Sequence, residues 1–187
     1  MTEFIKYINQ FSPLTEEAEF DLLNSLKSIT FKKGQFINKE GQICKQLYFI
    51  EKGLVKHYYN NKNRIYIFRF FSENNIFTVL DSFINQIPAN FTTVALEETS
   101  TTFIDHIQLE LLCKKHHSIE TFIRKTYELS SILILKRIKE LFDSDATELY
   151  KSFIKENKHL LQRISLGDIA SYLGISQVSL SRIRSKK

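Results

Sequence analysis

The stretch Leu166–Arg184 reads LGDIASYLGISQVSLSRIR, and it indicates two short helices joined by a glycine turn. Ser165 is placed to cap the first helix, and Ser176 is placed to cap the second. Gly174 stands where the chain must turn sharply, in a backbone conformation that costs other residues more. The side chains predicted to pack between the two helices are Ile169, Ala170, Leu173, Leu180 and Ile183. This combination predicts a helix-turn-helix.

The outer face of the second helix is polar and basic once its apolar side chains are turned inward. Arg182 can donate two hydrogen bonds to guanine, Gln177 can pair with adenine, and Val178 can contact a thymine methyl group. The residues predicted to read bases are Gln177, Val178, Ser181 and Arg182. Those predicted to contact phosphates are Ser176, Ser179, Arg184, Lys186 and Lys187. The pattern therefore predicts binding to double-stranded DNA.

Charge is unevenly distributed over the 187 residues, whose net formal charge is +5. Residues 1–105 contain 11 Lys and Arg against 12 Asp and Glu, a net charge of −1. Residues 106–187 contain 15 against 9, a net charge of +6. A basic C-terminal half suits a polyanionic partner, although a solvated helical surface has the same composition.

Residues 29–105 consist of short runs rich in β-branched and aromatic residues, separated by glycine and asparagine turns. Examples are FKKGQFINKEGQ, LYFIEKGLVKHYY and RIYIFRFF. Several short strands at this spacing predict an antiparallel sandwich or barrel.

The spacing of apolar residues in 118–143 predicts one long helix with two apolar stripes. Each stripe needs another surface to cover it. One partner can be the β region of the same chain, and the other can be the same helix of a second subunit. The residues assigned to this dimer interface are Ile119, Phe122, Leu129 and Leu133. The alternative is a helix buried entirely within one chain.

These elements together resemble the Crp–Fnr family of bacterial transcription regulators over nearly the whole chain. The resemblance implies an α+β fold: an N-terminal antiparallel β jelly roll of the cyclic-nucleotide-binding type (1–117), a dimerisation helix (118–143) and a helix-turn-helix domain (144–187). It places Gln177, Val178 and Arg182 on the family's base-reading positions, and Ser176 and Ser179 on phosphate-contacting ones. It implies a homodimer that regulates transcription and has RNA polymerase as a candidate partner. The barrel is expected to hold either an unidentified small-molecule effector or none.

Two departures from the family pattern affect these expectations. The cyclic-nucleotide pocket of the family uses a Gly-Glu pair and a later arginine, but Thr78 and Val79 stand at the pair, and Pro88–Phe91 occupy the arginine region. No arginine lies between Arg69 and Arg124, so we expect no binding of cyclic AMP or cyclic GMP. The family's β wing is also expected to be missing after the second helix, which should weaken DNA binding and make it more salt-sensitive.

Other classes of protein find less support in the sequence. His57 is the one histidine in the β region, and Cys44 and Cys113 are far apart, so no metal, cofactor or enzyme activity is expected. The sequence shows neither a membrane-spanning run nor a leader, which predicts a cytoplasmic protein without membrane contact. The alternative function is a dimeric β-roll sensor or protein-interaction module with weak or vestigial DNA binding.

Overall fold

The computed structural model describes residues 2–62 and 64–185, and its N-terminal half is a β-sandwich. Two four-stranded antiparallel sheets have the strand orders β1-β8-β3-β6 and β2-β7-β4-β5. The strands are β1 (Lys27–Phe31), β2 (Phe36–Asn38), β3 (Gln46–Lys52), β4 (Val55–Asn61), β5 (Arg64–Phe71), β6 (Ile76–Phe77), β7 (Thr92–Ala95) and β8 (Thr99–Asp105). The predicted antiparallel β unit in an α+β chain is confirmed.

Within residues 2–62 and 64–185, eight α-helices flank and follow the sandwich. They are α1 (Glu3–Phe11), α2 (Glu16–Ser25), α3 (Leu80–Asn85), α4 (His106–Lys115), α5 (His117–Asp143), α6 (Ala146–Glu156), α7 (Leu166–Leu173) and α8 (Gln177–Ser185), with a short 3-10 helix at Lys158–Leu160. None of these helices, within the residues described, combines the length and apolarity needed to cross a membrane.

Local sequence signals account for several element boundaries. The Thr15 hydroxyl accepts a hydrogen bond from the backbone N–H of Ala18 and caps α2. Asp145 and Glu148 form a reciprocal capping box at the start of α6. Gly53 has a φ of 118°, and a Cβ there would lie 2.6 Å from the Cα of Thr99, so the close approach of the turn after β3 to β8 requires glycine.

The described part of the chain packs around three apolar cores. The first lies between the two sheets and includes Phe31, Ile50 and Phe71. The second packs α1, α2, α4 and the start of α5 on the outer face of β3 and β8. The third packs α6, α7 and α8 on the outer face of β4 and β5. The helices after residue 143 therefore share a core with the sandwich, through Ile67 and Phe70 of β5 and through Leu54 in the turn before β4.

The inner face of α5 differs from the one predicted. Ile119 and Phe122, both assigned to a dimer interface, are 1% and 2% exposed in the core formed with α1 and β3. Leu133 is half-buried and lines a cavity between α5, β5 and α6. The assignment of Ile119 and Phe122 to an interface with a second subunit is wrong, because the chain's own core already covers both side chains. Leu129 is the most exposed of the four residues, with 39% of its surface accessible.

Candidate nucleic-acid interface

The helix pair α7–α8 is built by the caps and the turn that its sequence predicts. The Ser165 hydroxyl accepts a hydrogen bond from Asp168 N (3.0 Å), and the Ser176 hydroxyl accepts one from Ser179 N (3.0 Å). Gly174 has a φ of 73°, in the left-handed region, and ends α7. Beyond it, Ile175 N donates to Ala170 O at 3.0 Å. The turn therefore sets the angle between the two helices through backbone hydrogen bonds.

Leu180 fixes the rotation of α8 about its own axis. It is completely buried in the core that it shares with Ile169, Ala170 and Leu173. Ile183, three residues later, packs partly buried against the same core. Ser181 and Arg182, which lie between them, consequently point away from the protein.

All four residues predicted to read bases are exposed: Gln177, Val178, Ser181 and Arg182. Of the predicted phosphate contacts, Ser176 and Arg184 are exposed and Ser179 is half-buried. The hydroxyls of Ser176 and Ser179 lie 2.8 Å apart, so helix capping already uses part of their hydrogen-bonding capacity. Lys186 and Lys187 lie outside the described residues.

A charged cluster clamps the helical unit to the sandwich. Arg163, just before α7, donates two hydrogen bonds to Glu73 (2.8 and 2.9 Å) and two to Glu97 (2.6 and 3.3 Å). Hydrogen bonds from Arg163 are the largest cause that lowers the pKa of Glu73, to about 2. The same contacts raise the pKa of the Arg163 guanidinium. Both carboxylates lie in turns of the β region, so this clamp joins the two parts of the chain.

Further contacts hold α7 itself. Lys56 of β4 forms a largely buried ion pair with Asp168 at 2.6 Å. Arg64 of β5 donates to the carbonyl of Gly174 at 2.7 Å. Arg137 of α5 donates to the carbonyl of Tyr172 at 2.6 Å, and its guanidinium lies 4.0 Å from the centroid of the Tyr172 ring. Sequence reasoning missed these contacts, because most of their partners are more than 80 residues apart and no local pattern marks them.

The outer face of the second half of α5 is apolar and uncovered. Ile132, Leu135, Ile138 and Phe142 are 62%, 66%, 45% and 85% exposed. They recur at spacings of three and four residues and therefore form one stripe along the helix. A monomer seldom exposes a contiguous apolar patch of more than about a few hundred Å². Four large apolar side chains in one uncovered stripe are therefore unusual for a chain that stays monomeric.

A cavity of about 320 Å³ lies between the sandwich and the middle of α5. Phe68, Arg69 and Phe71 of β5 line one side, and Thr126, Tyr127 and Ser130 of α5 line another. Thr78 also lines the cavity, whereas the side chain of Val79 is buried in the core behind it. Phe91, in the region where the family arginine is expected, stacks on His57 with ring centroids 4.6 Å apart and lines the cavity.

His57 is a buried residue with a satisfied hydrogen bond. Its Nδ1 lies 2.9 Å from the Thr93 hydroxyl. Burial lowers the pKa of its imidazole to about 4, so the ring is neutral at pH 7. The neutral ring forms part of the aromatic wall of the cavity.

One group of side chains has the spacing of metal ligands, but a lysine occupies it. Ligand atoms of Glu17, Asp21 and His116 lie within 4.8 Å of one another. The ammonium group of Lys115 lies 2.8 Å from Glu17 and 2.7 Å from Asp21, so it already pairs with both carboxylates and offsets one of their two negative charges. Burial raises the pKa of the Cys113 thiol to about 12, so this cysteine is a poor nucleophile.

Comparisons with known proteins agree with this architecture. Residues 28–116 match the family model of the cyclic nucleotide-binding domain. FixK2 from Bradyrhizobium japonicum superposes with a TM-score of 0.73 at 19% identity, covering 86% of this chain and 83% of FixK2. A transcriptional regulator of the Crp/Fnr family from Eubacterium rectale gives a TM-score of 0.74 at 15% identity, covering 92% and 83%. The chain has the Crp–Fnr fold.

The resemblance that the sequence indicates is thereby confirmed for the Crp–Fnr fold. A third structure with this fold is CLP from Xanthomonas campestris, described as a c-di-GMP-responsive global regulator. It gives a TM-score of 0.68 at 16% identity, covering 92% of this chain and 91% of CLP. Among curated protein sequences, none matches the chain at a significant level.

Proposed function

We propose that this chain is a dimeric, sequence-specific DNA-binding regulator that does not respond to cyclic AMP. The observation that carries the proposal is the orientation of α8. Leu180 is buried, and the four predicted base-reading residues project from the opposite face into solvent. A helix that presents Arg and Gln in this way has the donors and acceptors that the major groove requires.

Dimerisation is proposed through the exposed stripe of α5, defined by Ile132, Leu135, Ile138 and Phe142. This stripe is expected to pack against the same stripe of a second copy of the chain. A parallel two-fold pairing of α5 would bury apolar surface from both subunits and would place two copies of α8 on one DNA duplex. Two half-sites about one helical turn apart, ~34 Å, are then expected in the target.

The lack of a cyclic AMP response is proposed from the lining of the cavity. The ribose and the cyclic phosphate of the nucleotide need polar and cationic partners. The glutamate position carries a buried valine, Val79, and the arginine region contributes the apolar ring of Phe91. A nucleotide placed there would lose hydration at its ribose and phosphate without a glutamate or an arginine at these two positions.

The test begins with selection of a preferred duplex from random DNA by the wild-type protein. Affinity for that duplex and for a scrambled duplex is then measured by fluorescence anisotropy at two salt concentrations. Arg182→Ala should cost about 1–3 kcal/mol on the selected duplex and much less on the scrambled one. Arg184→Ala is the matched control, since a lost phosphate contact weakens both duplexes alike.

Equal losses on both duplexes for Arg182→Ala would contradict the assignment of the reading face. A wild-type protein that selects no sequence and binds all DNA weakly would favour the alternative function, a dimeric sensor or interaction module.

A further inference from the structure

Arg69 is a half-buried cation whose guanidinium has no ion-pair partner among the residues that the structure describes. Its pKa is lowered by burial, yet an arginine remains charged in proteins. Within residues 2–62 and 64–185, the guanidinium has neither an ion-pair partner nor a hydrogen bond to another side chain or carbonyl, and its closest aromatic contact is the Phe71 ring at 5.0 Å. By contrast, the neighbouring Arg64, Arg137 and Arg163 each donate to a carbonyl or a carboxylate.

A bulge in β5 directs Arg69 into the cavity beside α5. In the β4–β5 pairing, His57 lies opposite Arg69 while Tyr58 lies opposite Ile67, so Phe68 is an extra residue. Phe68 and Arg69 both line the 320 Å³ cavity, and both also line a second cavity of about 240 Å³ toward α6 and α7. The cation therefore stands at the junction of two spaces instead of on the open surface.

The remaining lining is mainly aromatic and aliphatic, with a few hydroxyl groups. Phe71, Phe77 and Phe91 supply rings from three different segments of the sandwich. Tyr127 and Ser130 supply hydroxyls from α5, on the opposite side. An apolar cavity of this size with a few polar groups has the composition of a small-molecule site.

We propose that this cavity binds a compact aromatic monoanion, such as an aryl carboxylate, with its charged group on Arg69. The aromatic body of the ligand packs among the phenylalanine rings, and a carboxylate oxygen accepts a hydrogen bond from a hydroxyl of α5. Guanidinium and carboxylate match geometrically, and such charged hydrogen bonds are stronger in a partly dehydrated site.

A carboxylate in the lining limits how much negative charge the ligand can carry. Asp81 of α3 also borders the cavity, where its carboxylate accepts a hydrogen bond from the side-chain amide of Asn90 at 3.2 Å. A ligand with a second negative group, such as a phosphate dianion, would be repelled by Asp81. His57 is neutral and offsets none of that repulsion.

The inference goes beyond DNA binding, and its test uses the full-length protein without DNA. The fluorescent aromatic anion 1-anilinonaphthalene-8-sulfonate serves as the probe, and 2-naphthoate and its uncharged analogue 2-naphthamide serve as competitors. We expect 2-naphthoate to displace the probe at a concentration about 10- to 100-fold lower than 2-naphthamide, since only the former pairs with Arg69. Cyclic AMP should displace the probe poorly.

Variants locate the binding. Arg69→Met removes the charge but keeps an unbranched side chain. This variant should weaken the binding of 2-naphthoate about 10- to 100-fold and leave the binding of 2-naphthamide unchanged. The matched control is Arg64→Met, which changes an exposed arginine at the start of the same strand. It should leave the binding of both competitors unchanged. Ser130→Leu places a larger side chain in the cavity from the side of α5, and it should weaken the binding of both competitors.

Leu135→Asp removes an apolar side chain from the uncovered face of α5 and should leave displacement by 2-naphthoate unchanged. Equal competition by 2-naphthoate and 2-naphthamide in the wild type would overturn the proposal, and this comparison does not depend on any variant folding. Loss of probe binding in Leu135→Asp alone would place the ligand on the dimer face and would also overturn it.

Discussion

Leu135 is the residue at which the proposed dimer should be most open to disruption. Its side chain is 66% exposed in the chain, at the centre of the stripe formed with Ile132, Ile138 and Phe142. Complete burial of a leucine contributes about 1.5–3 kcal/mol, so covering the exposed two thirds contributes about 1–2 kcal/mol. A two-fold dimer buries two copies, which gives about 2–4 kcal/mol.

At about 1.4 kcal/mol for each factor of ten, Leu135→Ala should raise the dimer dissociation constant by up to about 30- to 700-fold. Leu135→Asp should raise it further, because each carboxylate would lose water at the interface. Sedimentation equilibrium over a series of protein concentrations measures the constant directly. The matched control is Leu111→Asp, which changes a leucine that is 54% exposed on α4.

The control should sediment as the wild type does. If Leu135→Asp also sediments as an unchanged dimer, the exposed stripe of α5 is not the interface and the reasoning is refuted. Leu133 faces the cavity next to α6, so a substitution there would report on packing inside one chain.

Three further predictions concern stability and ligand response. Leu180→Ala should lower the free energy of unfolding by about 2–5 kcal/mol, because it leaves a void in the third core; chemical denaturation measures this, and a loss under 1 kcal/mol would contradict the burial. The pKa of Glu73 is about 2 in the folded chain and near 4.5 in the unfolded chain. The pairing of Glu73 with Arg163 therefore stabilises the fold fully above about pH 5, and this contribution is lost as the pH falls toward 2. The difference in Tm between wild type and Glu73→Gln should therefore shrink from pH 6 to pH 3, and a constant difference would argue against the clamp. Millimolar cyclic AMP should leave the Tm unchanged, whereas a ligand at about 100 times its Kd would stabilise the fold by about 2.7 kcal/mol, a shift of several degrees.

Local signals in the sequence determined much of the secondary structure and the orientation of α8. Caps at Thr15, Asp145 and Ser165 and the turn at Gly174 act over three or four residues, so their residue types indicate them directly. The short runs of β-branched and aromatic residues between glycine and asparagine turns likewise predicted the sandwich. The spacing of Leu180 and Ile183 determined which side of α8 is buried, because a helix has a fixed period and one apolar side.

The tertiary structure alone decided which face of α5 is covered and which groups meet across the chain. The periodicity of α5 indicates apolar stripes but not the surface that buries each of them, which is why Ile119 and Phe122 were assigned to the wrong partner. The Arg163 clamp and the position of Arg69 beside α5 join segments more than 50 residues apart in sequence. Such contacts depend on how the sheets and helices pack in three dimensions, and no pattern within a few residues records that packing.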